Sequence, residues 1–384
     1  MKKTLAAVAV LGAFAGSAIA ADVTLYGVVD TGVGYNHTDF DGLADDTDAF
    51  AMKSGQQSGS RWGLKGAEDL GNGLTVGFIL ESGFDSDTGA KVKTNFFNRE
   101  SSLYLQGGFG KIGFGHIGAF NNGQSSWAKI GMISAFGTSS WGGYTTQLSN
   151  LMSLAGQWDN MIAYETPNFA GFQAFAQYSM GKTTKDGGAL DGAIENESSA
   201  ERYYAIGATY ENGPFAAYLA VDSINYASVT GNVVSDVDDS LTVTLGGSYD
   251  FEVAKVYLGA QYFDEVKLSS IGGVVREVEA DWVTGGIVSK VKGYGISLTA
   301  DAPVAGGKVM AGLGYVDAES ADSEANEDFD LKRYGVSVGY DYPFSKRTDV
   351  YAVASWMQDD VDWNATDSND ISAYSLYVGL RHKF

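Results

Sequence analysis

The chain has no cysteine, only 4 prolines and 3 histidines, and 25 basic against 47 acidic residues in 384. Each shortage closes off a class of function. Without cysteine there are no disulfides, no thiolate catalysis and no Cys-ligated zinc or iron–sulfur site. His37, His116 and His382 are little material for a histidine-based metal centre, and no cofactor is expected. A net charge of −22 and a pI near 4.4 argue against a partner such as nucleic acid, whose phosphates call for Lys and Arg. Beyond Ala20 no apolar run reaches the roughly 18 residues that mark a transmembrane helix. Glycine (51), tyrosine (22) and phenylalanine (20) are abundant instead, in a chain that is 45% hydrophobic. That composition suits strands and tight turns and excludes a disordered acidic tail.

The N-terminus reads as a targeting segment. Met1-Lys2-Lys3 is basic, Leu5 to Phe14 is apolar, and Ala18-Ile19-Ala20 is a small-x-small cleavage pattern. The apolar run is too short to span a bilayer as a helix. Residues 1–20 are therefore expected to be a cleaved export signal, and 21–384 a single domain.

From Asp22 onward the dominant signal is alternation with period two. Leu241, Val243, Leu245, Gly247 and Tyr249 alternate with Thr242, Thr244, Gly246 and Ser248. Tyr334, Val336, Val338, Tyr340 and Tyr342 alternate with Gly335, Ser337, Gly339 and Asp341. Such segments end in aromatic residues and keep small or polar residues on the second face. A sandwich would bury the apolar face between sheets; a transmembrane barrel turns it to lipid between aromatic girdles. The connections decide, because short ones alternate with polar stretches of roughly ten to forty residues, the pattern of outer-membrane barrels. Pro167, Pro214, Pro303 and Pro343 all fall in the short connections, where no ladder donor is needed.

The fold expected is all-β: a transmembrane antiparallel barrel of about 16 strands, with short periplasmic turns and long extracellular loops. The strands are placed at 22–36, 58–67, 73–83, 95–106, 111–119, 158–166, 171–180, 201–211, 214–225, 240–250, 253–265, 290–300, 307–318, 331–342, 347–358 and 371–384. Residues 274–289 are apolar enough to add a hairpin arm. A barrel of this size encloses water, whereas one of about eight strands fills with side chains. The long loops hold most of the acidic residues, which points to the extracellular side and to divalent cations bridging them to anionic lipid headgroups.

With the strands placed, the chain resembles the trimeric general porins of Gram-negative outer membranes. The likeness is carried by Val23-Thr-Leu-Tyr-Gly-Val-Val-Asp30, Ser60-Arg-Trp-Gly-Leu-Lys-Gly66, Asn98-Arg99, Gly107-Gly-Phe-Gly110 and Tyr164-Glu-Thr-Pro-Asn-Phe-Ala-Gly-Phe172. The ending Leu376-Tyr-Val-Gly-Leu-Arg-His-Lys-Phe384 is similar to the C-terminal signal read by the barrel assembly machinery, with Phe384 as its last residue. The resemblance implies a homotrimer in the outer membrane, multi-pass, surrounded by lipid and lipopolysaccharide. It implies passive diffusion of small hydrophilic solutes and ions, no enzymatic activity, and a third loop, here 120–157, folded into the lumen as a constriction.

Wall residues carried over are Arg61 and Arg99, with Lys65 on the face of Arg61. Arg99 shares parity with Leu103 and Leu105, so a bulge is expected to turn it inward. Where many members have arginine after Gly115, this chain has His116. The loop departs further: between Phe120 and Trp158 it has no acid, and Lys129 is its only charge. It supplies Phe120, Trp127, Phe136, Trp141 and Tyr144 instead. One expectation is a neutral aromatic loop face opposite a basic wall, favouring neutral solutes or small anions. The other is that these aromatics pack the loop against the wall.

Three further patterns carry less. Gly108-Phe-Gly-Lys-Ile-Gly113 fits a dinucleotide fingerprint, but a strand follows where a helix is required. Asp236-Val-Asp238-Asp239 lacks the spacing of a calcium loop. No local signature supports a Ser–His–Asp hydrolase. The alternative to a channel is a barrel-anchored adhesin or receptor acting through its acidic extracellular loops, for which the third loop would stand outward.

Overall fold

A strand with one apolar and one small-residue face needs a neighbour on each edge, and the chain supplies that neighbour all the way round. The structure is a computed structural model and describes residues 23–138, 148–182, 194–230, 233–234, 237–273, 290–322, 329–363 and 367–384. The expected export segment 1–20, Trp141, Tyr144 and the candidate arm 274–289 lie outside the described residues.

The strands are β1 (Thr24–Asp39), β2 (Thr47–Ser54), β3 (Arg61–Gly71), β4 (Leu74–Gly83), β5 (Glu100–Gly107), β6 (Gly110–Gly118) and β7 (Gln157–Glu165). They continue with β8 (Phe172–Ser179), β9 (Arg202–Asn212), β10 (Phe215–Asn225), β11 (Val229–Thr230), β12 (Val233–Val234) and β13 (Leu241–Asp250). The last are β14 (Lys255–Lys267), β15 (Lys290–Val304), β16 (Gly307–Ser320), β17 (Phe329–Pro343), β18 (Thr348–Trp363) and β19 (Asp367–Lys383). β11 and β12 pair only with each other, outside the barrel sheet. β2 runs along the loop-side half of β1 and β3 along its other half, so the two act as one stave in two pieces. Sixteen antiparallel staves result, and they close through β1 and β19.

The sixteen expected strands all occur. Several details differ, among them the small β11–β12 hairpin and the extension of β18 to Trp363. The second stave has an outer piece, β2, where a loop was expected. The strand placed at 95–106 begins only at Glu100. The turn placed at 301–307 is tighter, because β15 runs through Pro303 to Val304 and reverses at Ala305-Gly306, both with positive φ (50° and 81°). That two-residue mirror-image turn matches strand twist, and glycine takes such a φ without steric cost.

Polarity is inverted relative to a soluble domain. Leu219, Leu245, Leu258, Leu298, Leu313, Val336, Val338, Leu376 and Val378 are exposed on the outer face. Aromatic contacts bound this band. Tyr294, Tyr315 and Tyr334 form a chain on the loop side, with centroids 6.1 and 5.5 Å apart. On the turn side stand Tyr249 with Phe251 and Tyr342 with Phe344, at 4.6 and 5.7 Å. Two aromatic girdles around an apolar band are the signature of a barrel in a bilayer.

The apolar core lies inside, between the wall and residues 120–138 and 148–155. Trp127, Ile130, Ile133, Leu148, Leu151 and Met152 are fully buried there. The wall receives them on glycines. A Cβ at Gly314 would come within 2.6 Å of Leu151, and one at Gly246 or Gly259 within 2.7 or 2.8 Å of Ile133.

A buried ion pair then locks the far end of this segment. Arg333 of β17 and Asp359 of β18 are both fully buried, with Nε–Oδ1 2.6 Å and Nη2–Oδ2 2.9 Å. The remaining guanidinium donors reach the carbonyls of Asn150 (2.7 Å), Ile271 (2.6 Å) and Gly272 (3.0 Å). All five N–H groups are thereby used, the condition under which a buried guanidinium is tolerated.

Two outcomes follow from this arrangement. Leu313→Arg, in the middle of the outer band, is expected to destabilise the barrel by about 2–4 kcal/mol, read from urea unfolding in lipid vesicles. Arg333→Met, which strands Asp359, is expected to cost about 3–5 kcal/mol. It should also accelerate hydrogen exchange at residues 148–153 before the barrel strands.

Candidate functional site

The inner segment covers the wall unevenly. Glu100 of β5 holds its start, accepting from Ser126 N and Oγ (both 2.8 Å). Trp127 packs on Gly113 of β6, under the Lys111 ammonium 3.7 Å from its ring centroid. Phe120 packs at a tilt against Phe175, centroids 4.0 Å apart. Phe136 is buried with Met310, Tyr351, Val353 and Tyr377. The three described loop aromatics thus face the wall. Lys129 also turns to the wall, with Nζ 2.9 Å from Glu165 of β7.

On the inner face of β1, β3 and β4 stands a strip of opposite character. Glu81 of β4 lies between two guanidiniums, with Arg99 Nε at 2.6 Å and Arg61 Nε at 3.6 Å. It also accepts from Tyr26 OH (2.9 Å), and Lys65 Nζ lies 5.1 Å from the Tyr26 ring centroid. One carboxylate among three bases leaves the strip positive. Arg61, Lys65 and Arg99 are therefore brought together, whereas Lys129 lies elsewhere. No bulge turns Arg99: it precedes β5, so strand parity does not govern it, and its backbone N–H donates to Glu81 O (3.2 Å).

Arg381 of β19 adds a fourth base that the sequence reading missed. Its Nη2 is 2.9 Å from Asp349, its Nη1 donates to Ser58 Oγ (3.1 Å), and it lies within electrostatic range of Arg61. Beside it Asp30 accepts from Tyr351 OH (2.6 Å), Gln57 N (3.0 Å) and Ser58 N (2.7 Å), which folds residues 55–60 over the break between β2 and β3. Parity held the signal for Arg381, which shares a face with Ser375 and Gly379. Arg333 shares one with Gly335 and Ser337 in the same way.

The histidines are separated and individually engaged. His116 stands where the β6–β7 register shifts, its Nδ1 2.6 Å from Asp159. His37 is 3.1 Å from Asp48, and His382 is 2.9 Å from Thr348 Oγ1. Phe384 completes the closing ladder, exchanging two backbone hydrogen bonds of 3.1 Å with Gly27.

Comparison with known proteins agrees with this architecture. The profile of the Gram-negative porins matches residues 6–362. An outer membrane porin protein of Bordetella pertussis is 34% identical with all of both chains covered, and outer membrane porin protein 32 of Delftia acidovorans is 29% identical over the same extent. Among solved structures, an anion-selective porin from Comamonas acidovorans superposes with a TM-score of 0.67 at 28% identity, covering 95% of this chain and 100% of that one. An aqueous barrel with two girdles, an interior loop and these relatives have one meaning: the chain belongs to the Gram-negative porin family and is a multi-pass diffusion channel of the outer membrane.

Proposed function

We propose that residues 120–157 narrow this channel to an eyelet bounded by the packed loop on one side and Arg61, Lys65 and Arg99 on the other, and that the eyelet prefers small anions. The observation that carries this reading is the Arg61–Glu81–Arg99 cluster, two guanidiniums on one carboxylate, facing a loop whose only charge, Lys129, is taken up by Glu165. A passing anion meets positive charge without a competing acid on the loop, and low-dielectric walls strengthen that field. The likeness to an anion-selective porin supports the same sign. The burial of Phe120, Trp127 and Phe136 favours packing over stacking on solutes. It also favours a pore over outward display, for which the loop would stand free.

The family points to a channel and away from an enzyme; we take the protein to be non-catalytic, with no cofactor. It acts as a homotrimer, as in a related trimeric barrel. Residues 1–20 are removed on export, and Phe384 is read by the assembly machinery. The acidic outer loops meet lipopolysaccharide through divalent cations.

Planar-bilayer recordings test this. In a potassium chloride gradient the wild type should show an anion-selective reversal potential, in openings grouped by threes. Arg61→Ala with Arg99→Ala should lower the anion-to-cation permeability ratio by roughly twofold or more. A wild-type reversal potential of cationic sign would refute the preference. A variant lacking residues 134–147 should conduct more per opening, and an unchanged conductance would count against an eyelet.

A further inference from the structure

The outer apolar band is indented on its turn side, between β10, β13 and β14. Ala217 of β10 stands directly opposite Gly247 of β13, on the outward face of both strands. Larger residues surround this small pair. Tyr210 and Leu258 flank it along the same row. Phe215 stands opposite Tyr249 in the row nearer the turns, and Leu219 opposite Leu245 in the row above. The result is a groove of about 510 Å³ with apolar walls. Gly247 has no room for a side chain that would fill it, since a Cβ there would come within 2.4 Å of the Ala216 carbonyl oxygen. Two aromatic pairs close the foot of the groove: Tyr210 with Phe215, centroids 6.4 Å apart, and Tyr249 with Phe251, 4.6 Å apart. Aromatic belts of this kind sit at the level of the lipid headgroups.

Lipid tails are as apolar as leucine, so removal from water does not decide what enters a groove in this band. Shape does. Groups that line an unfilled gap lose their dispersion contacts, and a flexible hydrocarbon chain restores them. The groove is continuous with the lipid-facing surface of Leu219, Leu245 and Leu258, so hydrocarbon is the medium at its mouth. Charge then selects the headgroup. The two turns beneath the groove carry Glu211, Asp250 and Glu252, all exposed, against one base, Lys255. The register sets Lys255 between Asp250 and Asp301, so its charge is already opposed. An anionic headgroup is repelled there, whereas an ammonium finds carboxylates to accept its donors.

We propose that this groove holds one zwitterionic phospholipid of the phosphatidylethanolamine class, with an acyl chain over Ala217 and Gly247 and its ammonium at Glu211 and Glu252. The lipid belongs to the turn-side leaflet. The site lies on the opposite face of the wall from the eyelet and does not depend on the sign of the channel's selectivity.

Native mass spectrometry of the purified, delipidated protein in mild detergent tests this. The protein is titrated with dioleoyl phosphatidylethanolamine and, separately, with dioleoyl phosphatidylglycerol, which has the same chains and an anionic headgroup. The wild type should saturate at one phosphatidylethanolamine per chain and bind phosphatidylglycerol about tenfold or more weakly. Ala217→Phe, which fills the groove, should weaken phosphatidylethanolamine binding about tenfold or more, with channel conductance retained as proof of folding. Should that variant fail to conduct, Ala217→Leu carries the same expectation. Glu211→Gln with Glu252→Gln should leave the groove able to bind and remove the preference between the two headgroups. Equal affinity of the wild type for both lipids would overturn the proposal, as would phosphatidylethanolamine binding that Ala217→Phe and Ala217→Leu leave unchanged. Loss of oligomers in these variants at a constant lipid count would also overturn it, by making the groove a contact between copies of the chain.

Discussion

Every backbone N–H and C=O at membrane depth must find a partner within the protein, because hydrocarbon supplies none. For strands this forces a closed sheet, and the rest of this structure is arranged around that closure. The ladder between β1 and β19 runs from Val28–Lys383 to Asp39–Ser372. Once the ring is shut, the outer face has lipid as its solvent and carries leucine, valine and tyrosine. The inner face is left with glycine, serine and charge.

A ring of sixteen staves encloses more space than side chains alone can fill. Residues 120–138 and 148–155 use part of it by building a core inside the barrel, so the buried aromatic and aliphatic side chains of this segment lie on the lumen side of the wall. The glycines that would weaken a soluble strand are what let this core approach the backbone: Leu151 and Ile133 occupy the space that Cβ atoms at Gly314, Gly246 and Gly259 would take. Among the described residues, charge on the inner wall gathers where Arg61 and Arg99 share Glu81 and where Arg381 of β19 meets Asp349 of β18.

The period-two pattern made the staves legible, along with the aromatic ends and Pro167 and Pro214 in short turns, since each obeys local rules of alternation and turn chemistry, whereas Pro303 and Pro343 lie in strand ends. Arg61 and Lys65 were legible for the same reason: they share a face opposite Trp62 and Leu64. The parity rule failed at Arg99, because the residue precedes its strand and is placed by Glu81 and not by the pleat. Arg333 left almost no trace. Three of its five hydrogen bonds go to carbonyls of Asn150, Ile271 and Gly272, and backbone acceptors give no sign in a sequence of which side chain they will meet. The loop aromatics were visible as residues, but whether they face water or wall depends on what the wall offers each: Gly113 to Trp127, Phe175 to Phe120, and Met310 with Tyr351 to Phe136.

The closing contact between Gly27 and Phe384 has a temporal side. These residues are far apart in sequence, and their two hydrogen bonds complete the ring. Until β19 docks, β1 keeps an open edge that another strand can occupy. Contacts of this sequence separation are slow to form because the loop-closure entropy must be met first. Pairing of β1 with β19 therefore belongs to the late, slow part of folding, and the ladder that closes the finished barrel also sets when its open edge disappears.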